Sequence, residues 1–130
     1  MTSAFIEAKQ LTLALNRIPQ NTSVTLTVLA KCRAIASYQE NPIATSGTQA
    51  LDLFVNSLTP LLKDVNAKLL YQSSHCLNIS GDEHTNWDYQ FIITFDNISA
   101  VTSLLSLEAL HQILPHFYAS CSTYETVISY

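Results

Sequence analysis

The sequence predicts an α+β domain with a four-stranded antiparallel sheet, helices on one of its faces, and an additional N-terminal helix. Three observations lead to this prediction. Four segments alternate apolar and polar residues as strands do, amphipathic helical segments separate most of them, and a short polar loop joins the second and third. A chain of 130 residues without internal repeats or low-complexity segments is expected to form one domain, residues 1–130, with residues 1–20 as a helical extension.

The first helix is predicted over residues 3–17, because apolar residues recur there at helical spacing and Ser3 is suited to cap the N-terminus. Pro19 and the polar residues that follow it end this helix. The run VTLTVLAKC, residues 24–32, then alternates between apolar and polar positions, which predicts a strand with one strongly apolar face.

The second helix is predicted to follow a long loop, residues 34–46. It begins with a capping box, in which the Ser46 hydroxyl bonds forward to the Gln49 backbone and the Gln49 side chain bonds back. Pro60 lies inside this helix and removes one backbone hydrogen bond, so we expect a kink near Asn56.

The second and third strands are predicted at residues 67–79 and 87–95, joined by turn-forming residues 80–86. Because this loop is short, the two strands are expected to be antiparallel. The third strand carries an aromatic stripe, which suits a core or interface, or alternatively the wall of an apolar pocket. The stripe consists of Trp87, Tyr89, Phe91 and Phe95.

The last part of the chain is predicted to form a broken helix and a closing strand. Asp96-Asn97 begins the helix, Ser106 caps its second segment, and residues 123–130 form the strand. After the first helix, this order of elements is the split β-α-β plan of a ferredoxin-like sheet. Such a sheet has helices on one face only, so its other face needs a cover.

The composition indicates what covers that face. Charged residues make up 12% of the chain and hydrophobic residues 48%, so charges are about half as common as usual. We therefore expect a homodimer in which the sheets of two copies pair. Only six Lys and Arg residues are spread along a chain of net charge −4, which argues against nucleic acid as a partner.

The N-terminus and the cysteines predict the compartment. The chain begins without a basic region followed by a long apolar run, and no stretch approaches about 18 consecutive apolar residues. We therefore expect neither a signal peptide nor a membrane span. Cys32, Cys76 and Cys121 are odd in number and widely spaced, which favours free thiols in a reducing compartment, the cytoplasm.

Several segments together resemble a known family. They are VTLTVLAKCR at 24–33, SGTQAL at 46–51, PLLKDVNAKLL at 60–70, Trp87-Asp88, and LLSLEALHQILPHF at 104–117. With these segments, nearly the whole chain resembles the dimeric α/β-barrel superfamily, which includes the antibiotic-biosynthesis monooxygenases. It is more closely similar to an uncharacterised branch, a domain of unknown function with an extra N-terminal helix. The resemblance implies two sheets packed face to face in a homodimeric barrel, and it implies no substrate.

The chain departs from the pattern of this branch at positions that are polar or glycine in relatives. It has Asn66-Ala67 where relatives carry two glycines, and Val28 where they often carry asparagine. His116 and Phe117 stand where relatives favour arginine. If those polar groups serve a shared site, this chain has lost much of it.

The segment Asp82-Glu83-His84 brings two carboxylates and an imidazole together, and such groups bind zinc and other first-row metals. Three adjacent residues of a turn cannot all face one ion in ordinary backbone geometry, and the chain has no H-E-x-x-H motif. The segment therefore favours a solvated hairpin turn. The chain has only two glycines, so no phosphate-binding loop is expected. We expect no metal and no cofactor.

Six polar or aromatic residues are candidates for lining a ligand pocket in the barrel. His75 is expected to share a strand face with Tyr71. Asp88 suits either the pocket or a structural role, in which it caps the hairpin or pairs with Lys31 or Arg33. The six candidates are Arg33, Tyr71, His75, Trp87, Asp88 and His116.

From these observations we expect a small homodimeric protein that binds a small apolar or aromatic molecule in its barrel. The alternative is a cofactor-independent monooxygenase or isomerase that acts on a small aromatic substrate, with the same polar residues around it. A third class also stays open, an interaction module that binds another protein through an exposed sheet edge.

Overall fold

The computed structural model describes residues 2–3, 5–38, 45–81 and 86–130. Its helices are α1 (Ala8–Arg17), α2 (Gly47–Lys63), α3 (Ile98–Leu105) and α4 (Glu108–Ser120). Its strands are β1 (Thr2–Ser3), β2 (Ile6–Glu7), β3 (Val24–Cys32), β4 (Ala67–Ser73), β5 (Tyr89–Phe95) and β6 (Cys121–Ser129).

The four longer strands form one antiparallel sheet in the order β4-β5-β3-β6, and the two-residue strands β1 and β2 pair separately. The first and third long strands therefore lie side by side at the centre, with the second and fourth at the edges. This arrangement confirms the predicted α+β, ferredoxin-like fold with its four-stranded antiparallel sheet.

One face of the sheet is buried against the helices. Alternate residues of β3 and β5 point into this core, and all of them are buried. They are Val24, Leu26, Val28 and Ala30 on β3, and Tyr89, Phe91, Ile93 and Phe95 on β5. The aromatic stripe of the third strand is therefore part of the core, apart from Trp87, which precedes β5 and is half-buried.

Four phenylalanine rings form the centre of this core. Phe5, Phe54, Phe91 and Phe117 pack with ring centroids between 5.3 and 6.4 Å apart. The carbonyl of Phe5 also accepts a hydrogen bond of 2.7 Å from the hydroxyl of Thr126 on β6. Phe5 thus attaches the N-terminal segment to the core before the first helix begins.

The N-terminal prediction was wrong about where that helix starts. The first helix begins at Ala8, and Ser3 pairs with Ile6 in the β1–β2 ribbon instead of capping a helix. Glu7 stands at the N-cap without a side-chain cap bond. The physical reason is that Phe5 sits in the turn of this ribbon, where its side chain is 2% exposed and reaches the core.

The second long strand is shorter than predicted, since β4 ends at Ser73 and not at residue 79. Beyond it, the Ser73 hydroxyl donates to the carbonyl of His75 and accepts from the backbone N–H of His75, at 3.1 and 3.2 Å. Such local bonds compete with the strand ladder. A register shift between Leu69 and Tyr71 also turns Tyr71 away from the helices and Gln72 towards them.

The capping box of α2 is confirmed: the Ser46 hydroxyl accepts from the Gln49 N–H, and the Gln49 side chain accepts from the Ser46 N–H, both at 3.0 Å. Pro60 lies within α2, and the expected kink near Asn56 stays a prediction. Ser106 does not cap the last helix. Ser106 is instead the C-cap residue of α3, which ends at Leu105, and its hydroxyl donates to the carbonyl of Thr102.

The helix α4 begins after Leu107, without a side-chain cap bond. The closing strand starts at Cys121, two residues earlier than predicted, because its first residue pairs with Cys32 at the end of β3. Asn97 caps α3 as expected, by accepting a hydrogen bond of 3.0 Å from the N–H of Ala100.

Candidate functional site

The sheet face opposite the helices, here called the open face, is half-buried to exposed. Tyr71 and Val127 are 52% and 50% exposed on it, while Leu29 and Ile92 are half-buried. By strand register it consists of Thr25, Thr27, Leu29, Lys31, Lys68, Tyr71, Ser73, Gln90, Ile92, Thr94, Thr123, Glu125, Val127 and Ser129. Its centre therefore mixes apolar side chains with threonine, and its charged residues are Lys31, Lys68 and Glu125.

A cavity of about 530 Å³ lies beside α1 on the helix side of the sheet, and it opens to solvent along a rim that includes the exposed Leu13 and Tyr130. The buried side chains of Phe5, Leu26 and Val101 contribute to its floor. The lining further includes Leu11 and Ala14 of α1, and it extends to Ile6, Glu7, Gln10, Leu13, Arg17, Ile18, Tyr124, Glu125, Thr126, Ile128 and Tyr130. The lining is thus mainly apolar. Its polar and charged groups include Gln10 and Arg17 on α1 and Glu125 and Thr126 on β6.

The space exists because α1 packs loosely. None of its ten residues is fully buried, and its apolar residues Leu11, Ala14 and Leu15 are only half-buried against the core. A helix of a well-packed domain normally buries an apolar stripe against the core. The gap beside α1 is therefore the kind of space that a small molecule can fill.

A second group of polar residues lies at the end of the β3–β5 pair. The carboxylate of Asp88 accepts a hydrogen bond of 2.9 Å from the N–H of Cys32, and the N–H of Asp88 donates to the carbonyl of Ala30 at 3.1 Å. Asp88 therefore continues the ladder beyond β5 and caps its end at Cys32, a structural role that differs from the predicted hairpin cap or pairing with Lys31 or Arg33.

The thiol of Cys32 is held in its protonated form at this place. Burial raises the pKa of Cys32 to about 12, and the charge of Asp88 raises it further, while a hydrogen bond with Thr48 lowers it. Burial also raises the pKa of the Cys121 thiol on the neighbouring strand. As predicted, all three cysteines are free, with Cys121 buried and the other two half-buried.

A buried tyrosine ties two strands to α2. The hydroxyl of Tyr89 donates to the carboxylate of Asp52 at 2.6 Å, and the amide of Gln72 donates to the Tyr89 hydroxyl at 2.6 Å. Burial raises the pKa of Tyr89, and the hydrogen bond to Asp52 raises it as well. This cluster was not predicted from the sequence, although a tyrosine on the inward face of a strand indicates a buried partner for its hydroxyl.

The six candidate residues lie at several places. Arg33 follows β3 with an exposed side chain, and its N–H donates to the carbonyl of Ser120 at 2.8 Å. Arg33 and Asp88 both act electrostatically on Cys121, so these two candidates lie near one end of the sheet. Trp87 adjoins Asp88, and its N–H donates to the Asn78 side chain at 3.2 Å.

The remaining candidates are separate from this end. Tyr71 lies on the open face. His75 is exposed beyond β4, so it does not share a strand face with Tyr71 as expected. His116 on α4 is hydrogen-bonded through Nδ1 to the hydroxyl of Tyr38, 2.7 Å away. The residues that line the cavity beside α1 include none of the six candidates.

The segment Asp82-Glu83-His84 lies outside the residues that the structure describes. Within residues 2–3, 5–38, 45–81 and 86–130, no group of three or more His, Cys, Asp or Glu is arranged to hold a metal ion. In the same part of the chain, every helix is too short or too polar to cross a membrane.

The fold is similar to that of several solved structures. A protein of unknown function from Rhodopseudomonas palustris superposes with a TM-score of 0.82 at 15% identity, over 99% of this chain and 96% of that one. A dabb family protein with a ferredoxin-like fold from Mesorhizobium loti gives a TM-score of 0.52 at 9% identity, over 83% and 95% of the two chains.

A hydroxynitrile lyase from Passiflora edulis gives a TM-score of 0.53 at 9% identity, over 84% of this chain and 93% of the lyase. No family model and no curated protein sequence matches the chain. At these identities the similarity shows the fold alone, and this fold agrees with the one that the predicted resemblance implies. The Rhodopseudomonas protein matches almost the entire chain, so the similarity includes the N-terminal extension with α1.

Proposed function

We propose that this protein is a homodimeric small-molecule-binding protein of the cytoplasm, and that an apolar ligand occupies the cavity beside α1. The observation that carries this proposal is the cavity itself. Its volume of about 530 Å³ falls within the range of roughly 300–1,000 Å³ that is usual for small-molecule sites. Its floor of buried apolar side chains, next to a few polar groups, is the usual composition of such a site.

The location of the cavity also supports binding. The cavity lies between the loosely packed α1 on one side and the strand β6 and helix α3 on the other. A helix without fully buried residues can move away from the core at little cost, because few buried contacts are broken. The ligand site proposed here lies on the helix side of the sheet, whereas the sequence placed it inside the barrel between two sheets.

Pairing through the open face is the second part of the proposal. In the described chain this face leaves Tyr71 and Val127 about half exposed, and few charges separate the apolar residues at its centre. A sheet face that leaves apolar side chains such as these half exposed is stabilised when a second copy covers it. The ligand pocket predicted from Arg33, Tyr71, His75, Trp87, Asp88 and His116 stays a separate proposal, and Tyr71 is its residue on the open face.

A binding role is better supported than catalysis. A cofactor-independent oxygenase or isomerase needs several polar groups that converge on the bound substrate. The candidate residues for that role do not line the cavity, and the buried hydroxyl of Tyr89 is already engaged by Asp52 and Gln72. The interaction module that binds a protein at a sheet edge has no specific observation in its favour.

The proposal is tested with the uncharged apolar dye N-phenyl-1-naphthylamine, whose fluorescence rises when it leaves water. We expect the dye to bind the wild-type dimer with saturation, and Ala14→Phe to weaken this binding at least about tenfold, because the new ring occupies the cavity. Thr12→Phe is the matched control, since Thr12 is exposed on α1 and is not among the lining residues. Unsaturable binding by the wild type, or equal affinities of the two variants, would contradict the proposal.

A further inference from the structure

Two of the three cysteines face each other across neighbouring strands. Cys32, the last residue of β3, is the register partner of Cys121, the first residue of β6, at a point where the register shifts. The strands are held together beside this pair by the hydrogen bond from the Arg33 N–H to the carbonyl of Ser120, 2.8 Å long. Both thiols are free.

The two side chains lie on the same face of the sheet. Cys32 follows the buried Ala30 in the alternation of β3, and Cys121 is buried with its Sγ 3.6 Å from the carbonyl of Phe117. The charge of a Cys121 thiolate would also raise the pKa of Cys32. Opposed residues of a regular antiparallel ladder have Cα atoms about 4.5–5.5 Å apart, within the range of about 4.4–6.8 Å that a disulfide needs, and Cys32 and Cys121 stay opposed after the register shift.

We propose that Cys32 and Cys121 form a reversible oxidation site, which a small disulfide such as oxidised glutathione converts into a bridge between β3 and β6. Because burial raises the pKa of Cys32, only a small fraction of this half-buried thiol is ionised at neutral pH, and the reaction is slow and becomes faster as the pH rises. The Cys32 thiolate attacks the disulfide and releases one glutathione thiolate. The sulfur of Cys121 then loses its proton and displaces the second glutathione from Cys32. Two protein thiols are oxidised, and one glutathione disulfide is reduced to two molecules of glutathione.

The third cysteine provides an internal comparison. Cys76 lies beyond β4, half-buried, and it has no register partner in the sheet. Neither Cys32 nor Cys121 lines the cavity beside α1, so this site is separate from the proposed ligand site. Oxidation of Cys76 with glutathione is expected to stop at a mixed disulfide, because a second thiol is needed to displace the glutathione.

The bridge joins parts of the chain that are far apart in sequence. It also lies next to the start of α2, where the N–H of Gly47 donates to the carbonyl of Arg33 at 2.9 Å. A disulfide that closes so long a loop is expected to raise the unfolding temperature by at least about 5 °C, and reduction should reverse this rise.

The test treats the 130-residue protein with oxidised glutathione, blocks the remaining thiols with N-ethylmaleimide, and maps the peptides without reduction. We expect a cross-linked peptide that contains Cys32 and Cys121, and dithiothreitol should remove it. The Cys76→Ser variant should give the same bridge, whereas Cys32→Ser and Cys121→Ser should not. Three results would overturn the proposal: a bridge that includes Cys76, mixed disulfides alone, or three thiols that all react with N-ethylmaleimide. The wild type and Cys76→Ser are sufficient to distinguish these results from the expected bridge.

Discussion

The carboxylate of Asp88 accepts a hydrogen bond from the backbone N–H of Cys32, with 2.9 Å between the two atoms. This bond joins two residues that are far apart in sequence and lies just beyond the paired parts of β3 and β5. The backbone N–H of Cys32 lies beyond the β3–β5 pairing, which ends at Ala30, and the bond to Asp88 gives this N–H an acceptor. The same bond places the negative charge of Asp88 next to the Cys32 thiol. The two consequences can be tested separately.

The first prediction concerns the free energy of unfolding. Asp88→Ala removes the acceptor and leaves the Cys32 N–H without its partner, so we expect a loss of about 1–3 kcal/mol in urea denaturation. Asp88→Asn keeps an oxygen at the same place and should lose less than about 1 kcal/mol. Equal losses in the two variants would show that the hydrogen bond is not what Asp88 contributes.

The second prediction concerns the pKa of Cys32. Burial is the main reason why this pKa is raised to about 12, and the charge of Asp88 adds to it. Asp88→Asn removes the charge and should lower the pKa of Cys32, although burial keeps it above the ordinary value of 9.0. The measurement is the pH profile of Cys32 alkylation by iodoacetamide in the Cys76→Ser background. An unchanged profile would contradict the assigned influence of Asp88.

The fold could be predicted from the sequence wherever a local pattern had one structural solution. The alternation of residues 24–32 predicted β3 with its bounds, and the Ser46-Gln49 pattern predicted the capping box at the start of α2. Both signals depend on neighbouring residues only. They are therefore visible without knowledge of the tertiary contacts.

Other features depended on contacts between distant residues and could not be predicted in this way. Helical spacing extended the first helix back to Ser3, because the burial of Phe5 among rings from other elements leaves no local signal. The register shift after Leu69 similarly reversed the expected facing of Tyr71. The cavity beside α1 is a packing property of several elements, and none of the six candidate residues lines it.

The third prediction concerns the buried Tyr89. Tyr89→Phe removes the hydroxyl that joins Asp52 and Gln72, so we expect a loss of about 1.5–3 kcal/mol in the free energy of unfolding at pH 7. Tyr118→Phe is the control, because Tyr118 is 43% exposed, and this change should stay within about 0.5 kcal/mol of the wild type. A loss equally small for both variants would contradict a structural role of the Tyr89 hydroxyl.

The same tyrosine predicts a dependence of stability on pH. Burial holds the pKa of Tyr89 above its ordinary value of 10.0, so above this pH the folded state keeps a proton that the unfolded state gives up. The contribution is complete below pH 10 and is lost as the pH rises towards the folded-state pKa. We expect the wild type to lose more stability than Tyr89→Phe between about pH 10 and pH 11. Parallel losses would contradict the raised pKa.

The fourth prediction concerns the open face. Light scattering should give the wild type a mass of twice the 14.4 kDa of one chain, while Val127→Glu should shift the protein to the mass of a single chain. A charge at this half-exposed position costs free energy only when a second copy covers it. Leu53→Glu is the matched control on α2, where the side chain is 48% exposed, and it should remain dimeric. A wild type of single-chain mass would exclude the dimer.

The most direct measurement of the central claim is a crystal structure of the protein grown with N-phenyl-1-naphthylamine. The account predicts density for the dye beside α1, in contact with Phe5, Leu26 and Val101, at the place where Ala14→Phe puts its ring. An empty cavity beside α1 together with dye bound elsewhere, for example between two paired sheets, would contradict it.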